Sequence, residues 1–203
     1  MRHEYDAAGE RAVHAAPVGS PPTSTGLFEV WRELDVPEGW CAESIEERIV
    51  MTPPPGHEHN LVADQLHRLF VRDVPDHWAI FQTAGVSVAP RVGFFVPDLL
   101  VIPRDRVPSD ADAAPVPAAL GLLAAEITSL GDPETDRTTK LRAYAGAEVP
   151  LYPLVDRHGA GGPTMSLYSD PTSGHYRHLV QVPFGDGIEL PEPFGFRLDT
   201  TRF

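Results

Sequence analysis

The sequence predicts a single α/β domain, with a mixed central β-sheet flanked by helices, an N-terminal β-hairpin and C-terminal closing strands. Short β-patterned runs surround two stretches of helical periodicity, which implies helices packed on a sheet. A length of 203 residues suits one domain with a substantial core plus tails. A hydrophobic content of 42% suits a packed globule rather than a disordered chain.

Residues 1–26 read as a disordered leader, since Ala15 to Gly26 is small, proline-rich and almost without core residues. The domain proper then spans 27–203. Leu27, Trp31 and Leu34 at helical spacing predict a short helix. Trp40 to Met51 reads as paired strands, closed by Thr52-Pro-Pro-Pro-Gly56, which must leave regular structure. From Asn60 to Val74 runs the clearest helix: Leu61, Val62, Leu66, Leu69 and Phe70 on one face, Asp64, Arg68 and Arg72 on the other. Ala79 to Ala89 has strand character, broken near Gly85. Phe94 to Ile102 is an apolar strand interrupted only by Pro97-Asp98, and Leu120 to Thr128 is a buried strand with one charge, Glu126. A helix starts around Asp132-Pro-Glu-Thr-Asp136 and runs to Ala145, where Gly146 can end it. Leu151 to Val155, Met165 to Tyr168 and Tyr176 to Val182 supply the closing strands.

Composition narrows the function classes. No apolar stretch approaches the length of a membrane helix, so no membrane partner is expected. Cys41 is the single cysteine, which leaves no intramolecular disulfide and no cysteine-based zinc site. With no secretory pattern at the N-terminus, these features point to the cytoplasm. A net charge of -13 argues against sequence-independent binding of a polyanion over the whole surface. It is compatible with a carboxylate cluster of the kind that magnesium requires.

Asp98 and Glu126 stand in otherwise apolar strands, where a charge is costly unless it is paired or holds a metal. Two carboxylates brought together by neighbouring strands repel, and a hard divalent cation relieves the repulsion. Such an ion can lower the pKa of a bound water and neutralise charge on a scissile phosphate. Lys140 is the only lysine among 16 basic residues, in a chain that otherwise uses arginine throughout. Asp136 and Lys140 are four apart, hence on one helix face. That helix follows the Glu126 strand, so its ammonium could orient water or stabilise phosphate charge. Taken singly, each residue also has a plain reading: a turn beside Pro97, a Glu–Arg pair, a surface ion pair.

In this order they resemble a known pattern. The segments are Ile49-Val-Met-Thr-Pro-Pro-Pro-Gly-His-Glu-His-Asn60, Val96-Pro-Asp-Leu-Leu-Val-Ile102, Ala125-Glu-Ile-Thr-Ser129, Asp136-Arg-Thr-Thr-Lys-Leu-Arg-Ala-Tyr144 and Val149-Pro-Leu-Tyr-Pro-Leu-Val-Asp156. Over roughly residues 40–180 the chain resembles the PD-(D/E)XK nuclease superfamily, and more closely its Uma-two branch of bacterial restriction-endonuclease-like proteins. The resemblance implies a restriction-endonuclease-like fold and an Mg2+-dependent endonuclease acting on DNA, with Mn2+ as a substitute ion. By it, Asp98, Glu126 and the backbone carbonyl of Ile127 would hold the metal. Lys140 would be the catalytic lysine, moved from the strand to the following helix, and His59, Glu43 and Asp136 would be accessory. A homodimer is left open by the same resemblance.

The chain also departs from the pattern. Thr128 stands where the superfamily's strand lysine would be, the family's proline near Leu130 and tryptophan near Pro153 are missing, and Glu43-Ser-Ile-Glu-Glu-Arg48 lacks a glycine. The alternative reading is therefore a catalytically degenerate nucleic-acid-binding or protein-interaction module on the same fold. His57-x-His59 has no third ligand nearby in sequence, and Ser129 has no nucleophile elbow around it.

Overall fold

The computed structural model describes residues 13–14, 24–88, 93–109 and 115–203. In chain order it contains β1 (Val13–His14), α1 (Ser24–Arg32), β2 (Cys41–Ile45), β3 (Arg48–Thr52), α2 (His57–Asp73), β4 (Trp78–Phe81), β5 (Val86–Val88), β6 (Gly93–Phe95), β7 (Leu99–Pro103), β8 (Val116–Pro117) and β9 (Leu123–Ile127). A π-helical segment, Thr135–Lys140, then runs into α3 (Leu141–Gly146). It is followed by β10 (Leu151–Asp156), β11 (Thr164–Thr172), β12 (His175–Pro183), β13 (Gly187–Glu189) and β14 (Arg197–Asp199). Most of the 1–26 leader lies outside the described residues. Val13–His14 pairs with β3, and α1 begins at Ser24.

Two six-stranded sheets form, in the orders β1-β3-β2-β6-β5-β8 and β12-β11-β10-β9-β7-β4, beside a two-stranded ribbon β13-β14. In the second sheet β9 and β10 run parallel while β7 and β9 run antiparallel, which makes it mixed. Successive residues of β9 alternate between two cores, as a pleated strand buried on both faces must. Leu123, Ala125 and Ile127 meet α2, through Val62, Leu66 and Phe70, and the C-terminal ribbon, through Ile188 and Leu198. Ala124 turns the other way, towards Tyr144 of α3, Tyr152, and Val86 and Phe95 of the first sheet. Glu126 follows it in the same phase, so that strand delivers its one charge beneath α3.

Three expectations are corrected. Phe94 to Ile102 is not one strand: Gly93–Phe95 belongs to the first sheet and Leu99–Pro103 to the second. Pro97 has no N–H for a ladder, so the chain crosses between sheets there, and the crossing leaves Asp98 at the junction. The helix expected from Asp132 to Ala145 starts near its expected place, with Asp132 Oδ1 accepting from the Thr135 N–H at 3.3 Å. Its first part is π-helical rather than α-helical. Leu61, assigned to the apolar face of α2, is 65% exposed, and the inward row is His59, Val62, Leu66 and Phe70. The ribbon β13-β14 was not anticipated, because three-residue strands are too short to show alternation.

The hairpin joining β2 to β3 turns through Glu46 (φ 49°) and Glu47 (φ 63°), with Ile45 facing Arg48. A two-residue turn with both centres in the left-handed region suits Asn-Gly, not two glutamates. Glu47→Gly is expected to raise stability by about 1 kcal/mol, the relief of one left-handed non-glycine residue. Chemical denaturation checks this, and an unchanged or lowered midpoint would contradict it.

Candidate active site

The π-helical segment sets the geometry of the site. Its wider turn buries both Asp136 and Lys140, and such segments recur at functional positions. The Tyr152 hydroxyl donates to the Asp136 carbonyl at 2.9 Å and pins the segment to β10. Lys140 Nζ then reaches Glu43 Oε1 at 3.0 Å, Glu126 Oε2 at 3.2 Å and Asp136 Oδ1 at 3.5 Å. It also lies 5.8 Å from the centre of the Phe95 ring. Three acids from three separate elements thus meet one ammonium that is itself only 5% exposed.

Asp98 joins the cluster from the side. Leu99 faces Ala125 across β7 and β9, so one further step of register sets Asp98 opposite Glu126. The Ile127 N–H donates to Asp98 Oδ2 at 2.7 Å, and His59 Nε2 of α2 stands 3.3 Å from Asp98 Oδ1. Glu43 is fixed by the crossing segment, whose Val96 N–H donates to Glu43 Oε1 at 2.7 Å. The structure therefore brings together Asp98, Glu126, Ile127, Lys140, Glu43, Asp136 and His59. His57 is exposed and stays outside the cluster.

Electrostatics show a shortage of positive charge. Burial drives the Glu126 carboxyl well above its ordinary 4.5, against the pull of Lys140, and Asp136, Asp98 and Glu43 add to the rise. Burial likewise lifts Asp136 from 3.8 to about 7, although Lys140 opposes it. For Lys140 burial acts downwards, but Glu126, Glu43 and Asp136 together hold the ammonium well above 10.5. One ammonium thus serves three carboxyls, and burial favours the protonated form of two of them, Glu126 and Asp136.

The donors are hard oxygens, with Asp98 at the entry to β7 one register step from the Leu99–Ala125 pair and so opposite Glu126 of β9, and their chemistry fits a magnesium-type cation. Among the described residues, no group of three or more His, Cys, Asp and Glu side chains is arranged so that it could hold a metal ion. Magnesium sites commonly retain several waters, so two carboxylates and a carbonyl suffice.

Several contributors were not singled out in the sequence. The Tyr144 hydroxyl donates to Glu126 Oε1 at 2.9 Å, fixing the oxygen that Lys140 leaves. Its spacing of four from Lys140 on one helix was the available signal. Cys41, at the start of β2, lies within electrostatic range of Glu43, Lys140 and Asp98, and burial with Glu43 pushes its thiol up. Thr128, in place of a strand lysine, donates to Asp156 Oδ1 at 3.2 Å and accepts from the Arg157 N–H at 3.0 Å. Arg137 grips the same Asp156 with two bonds of 2.8 Å.

The fold is shared with a solved structure, described as a putative nuclease belonging to DUF820 from Anabaena variabilis. It superposes with a TM-score of 0.67 at 18% identity, covering 90% of this chain and 97% of that one. No curated protein is significantly similar to the chain. The Uma2 family model, described as "Putative restriction endonuclease", matches residues 27–201. On that match, which takes in every residue of the cluster, the chain belongs to the Uma2 family and has a restriction-endonuclease-like fold.

Proposed function

We propose that the chain is a metal-dependent DNA endonuclease. The observation that carries this is the gathering of Asp98, Glu126 and Lys140 into one cluster, from the entry to β7, from β9 and from a π-helical turn: Lys140 Nζ is 3.2 Å from Glu126, and Asp98 accepts from the N–H of the next residue, Ile127. Asp98, Glu126 and the Ile127 carbonyl would hold the ion, Mg2+ or Mn2+ in its place. When bound, it would lower the pKa of a coordinated water and neutralise charge on the scissile phosphate.

The chain's own groups do the positioning. Lys140 orients the attacking water and offers an ammonium to the developing phosphate charge. Glu43 and Asp136 hold that ammonium in place, since each touches Nζ. His59 and the Ile127 N–H fix the two oxygens of Asp98, and Tyr144 fixes Glu126. This is the orientation of ligands by their own partners that tunes metal sites generally. The single cysteine fits a cytoplasmic setting, and DNA would be the partner.

The second reading, a nucleic-acid-binding module without cleavage, has one observation in its favour. Lys140 is enclosed by three carboxylates rather than facing an open cleft. Plasmid DNA with magnesium separates the two. Wild type should nick and linearise it, while Asp98→Ala and Lys140→Ala should not. Equal activity in all three, or none in wild type with DNA binding retained, would reject the endonuclease reading.

A further inference from the structure

Strand β12 differs from the other strands that border the two large sheets. Among the described residues, β1 and β8 are two residues long and β4 four, whereas β12 spans nine. Short edges are one way in which proteins avoid unwanted pairing, because an edge presents a row of unpaired N–H and C=O groups. Charge, proline and bulges are the others. β12 carries one permanently charged residue, Arg177, which is already paired with Asp170, and its one proline is its last residue, Pro183. All five central residues, 177–181, are exposed, so neither face of this stretch is covered. Six large hydrophobic side chains are exposed among the described residues, and only Leu179 and Val180, at 54% and 52%, are neighbours in sequence.

We infer that β12 is the contact through which two copies of this chain associate, antiparallel, joining their six-stranded sheets into one. The residues of β12 fit a second copy of themselves. A two-fold axis through Leu179 sets that side chain opposite its own copy, Arg177 opposite Gln181, His178 opposite Val180 and Tyr176 opposite Val182. No like charges face each other in this register. Opposed apolar pairs and the absence of opposed like charges are what stabilise antiparallel pairing. The two Arg177 side chains are offset by four residues, about 14 Å along the strand, which is beyond the screening length at physiological salt.

Charge also favours a second copy as the occupant. Acids make up 29 of 203 residues and give the chain its charge of -13, yet β12 carries Arg177, His175 and His178 and none of the acids. In a β12–β12 contact neither strand brings a carboxylate against the other. Asp170 of β11, 3.4 Å from both Arg177 and His178, is held by β12's own basic groups. The inference does not depend on the nuclease reading, because β12 contributes no residue to the candidate active site.

Sedimentation velocity on the full chain, over about a hundredfold range of concentration, tests it together with two single variants. Wild type should convert from the chain mass to twice that mass as concentration rises. Leu179→Lys and Leu179→Glu each place like charges opposite one another and should weaken the dimer at least about tenfold, or about 1.4 kcal/mol. Equimolar mixing of the two variants sets Lys opposite Glu and should restore the dimer. Far-UV circular dichroism should show both variants folded, since the replaced side chain is exposed. A wild type that stays monomeric, a dimer indifferent to either variant, or a mixture that fails to re-associate would each overturn the inference.

Discussion

Lys140→Met is expected to abolish magnesium-dependent cleavage and to lower stability by about 3–5 kcal/mol at neutral pH, the cost of leaving buried charges without their partner. The ammonium contacts Glu43, Glu126 and Asp136, all of them buried, so no solvent can replace it. The stability loss should depend on pH, with a sign set by the acids. The folded-state pKa of Asp136 is about 7 against an ordinary 3.8. Between those values the folded chain keeps a proton that the unfolded chain has released. Raising the pH through this window therefore costs stability in the wild type as well. Removing Lys140 takes away the one interaction that pulls these carboxyl pKa values down. The variant should thus lose stability more steeply as pH rises and should approach wild type near pH 4. Urea denaturation of both proteins across this range checks the trend. A variant as stable as wild type at pH 8 would contradict it.

Asp98→Asn is expected to separate chemistry from folding. The amide oxygen can still accept from the Ile127 N–H, and the Asp98 side chain is 23% exposed rather than enclosed, so stability should change by less than about 1 kcal/mol. The charge that a metal needs is gone, and cleavage should fall by at least about 10²-fold, the usual loss when a group stabilising transition-state charge is removed. Parallel measurements of the plasmid cleavage rate and of the thermal unfolding midpoint check both halves. A variant that cleaves at the wild-type rate would remove Asp98 from the site.

Parts of this site are legible in the sequence for definite reasons. Glu126 stands out because a lone carboxylate in a buried five-residue strand must have partners, and the strand's alternation sends it beneath α3. Lys140 stands out as the chain's only lysine, four residues after an acid. Asp98 is visible beside a proline in an apolar run, but its placement is not. The run reads as one strand, and only the missing N–H of Pro97 hints that the chain leaves one sheet for another. Glu43 and Tyr144 are harder. A glutamate near a hairpin does not reveal Lys140 as its partner, and the spacing of Tyr144 from Lys140 places it on the same helix without revealing Glu126 as the acid it holds. The π-helical turn is set by tertiary contacts, among them the Tyr152 bond to the Asp136 carbonyl, and the local pattern gives no sign of it. The same holds for Leu61: helical spacing admits it to the apolar stripe, and packing against β9 selects His59 and Val62 in its place.

A metal-dependent reaction at this site requires a cation held jointly by Asp98, at the entry to β7, and Glu126 of β9. Calorimetric titration of the wild-type chain with Mn2+, beside Asp98→Asn and Glu126→Gln, addresses that directly. One ion per chain is predicted for wild type, with affinity at least about tenfold weaker in each variant. No binding to wild type, or equal binding to all three proteins, would contradict it.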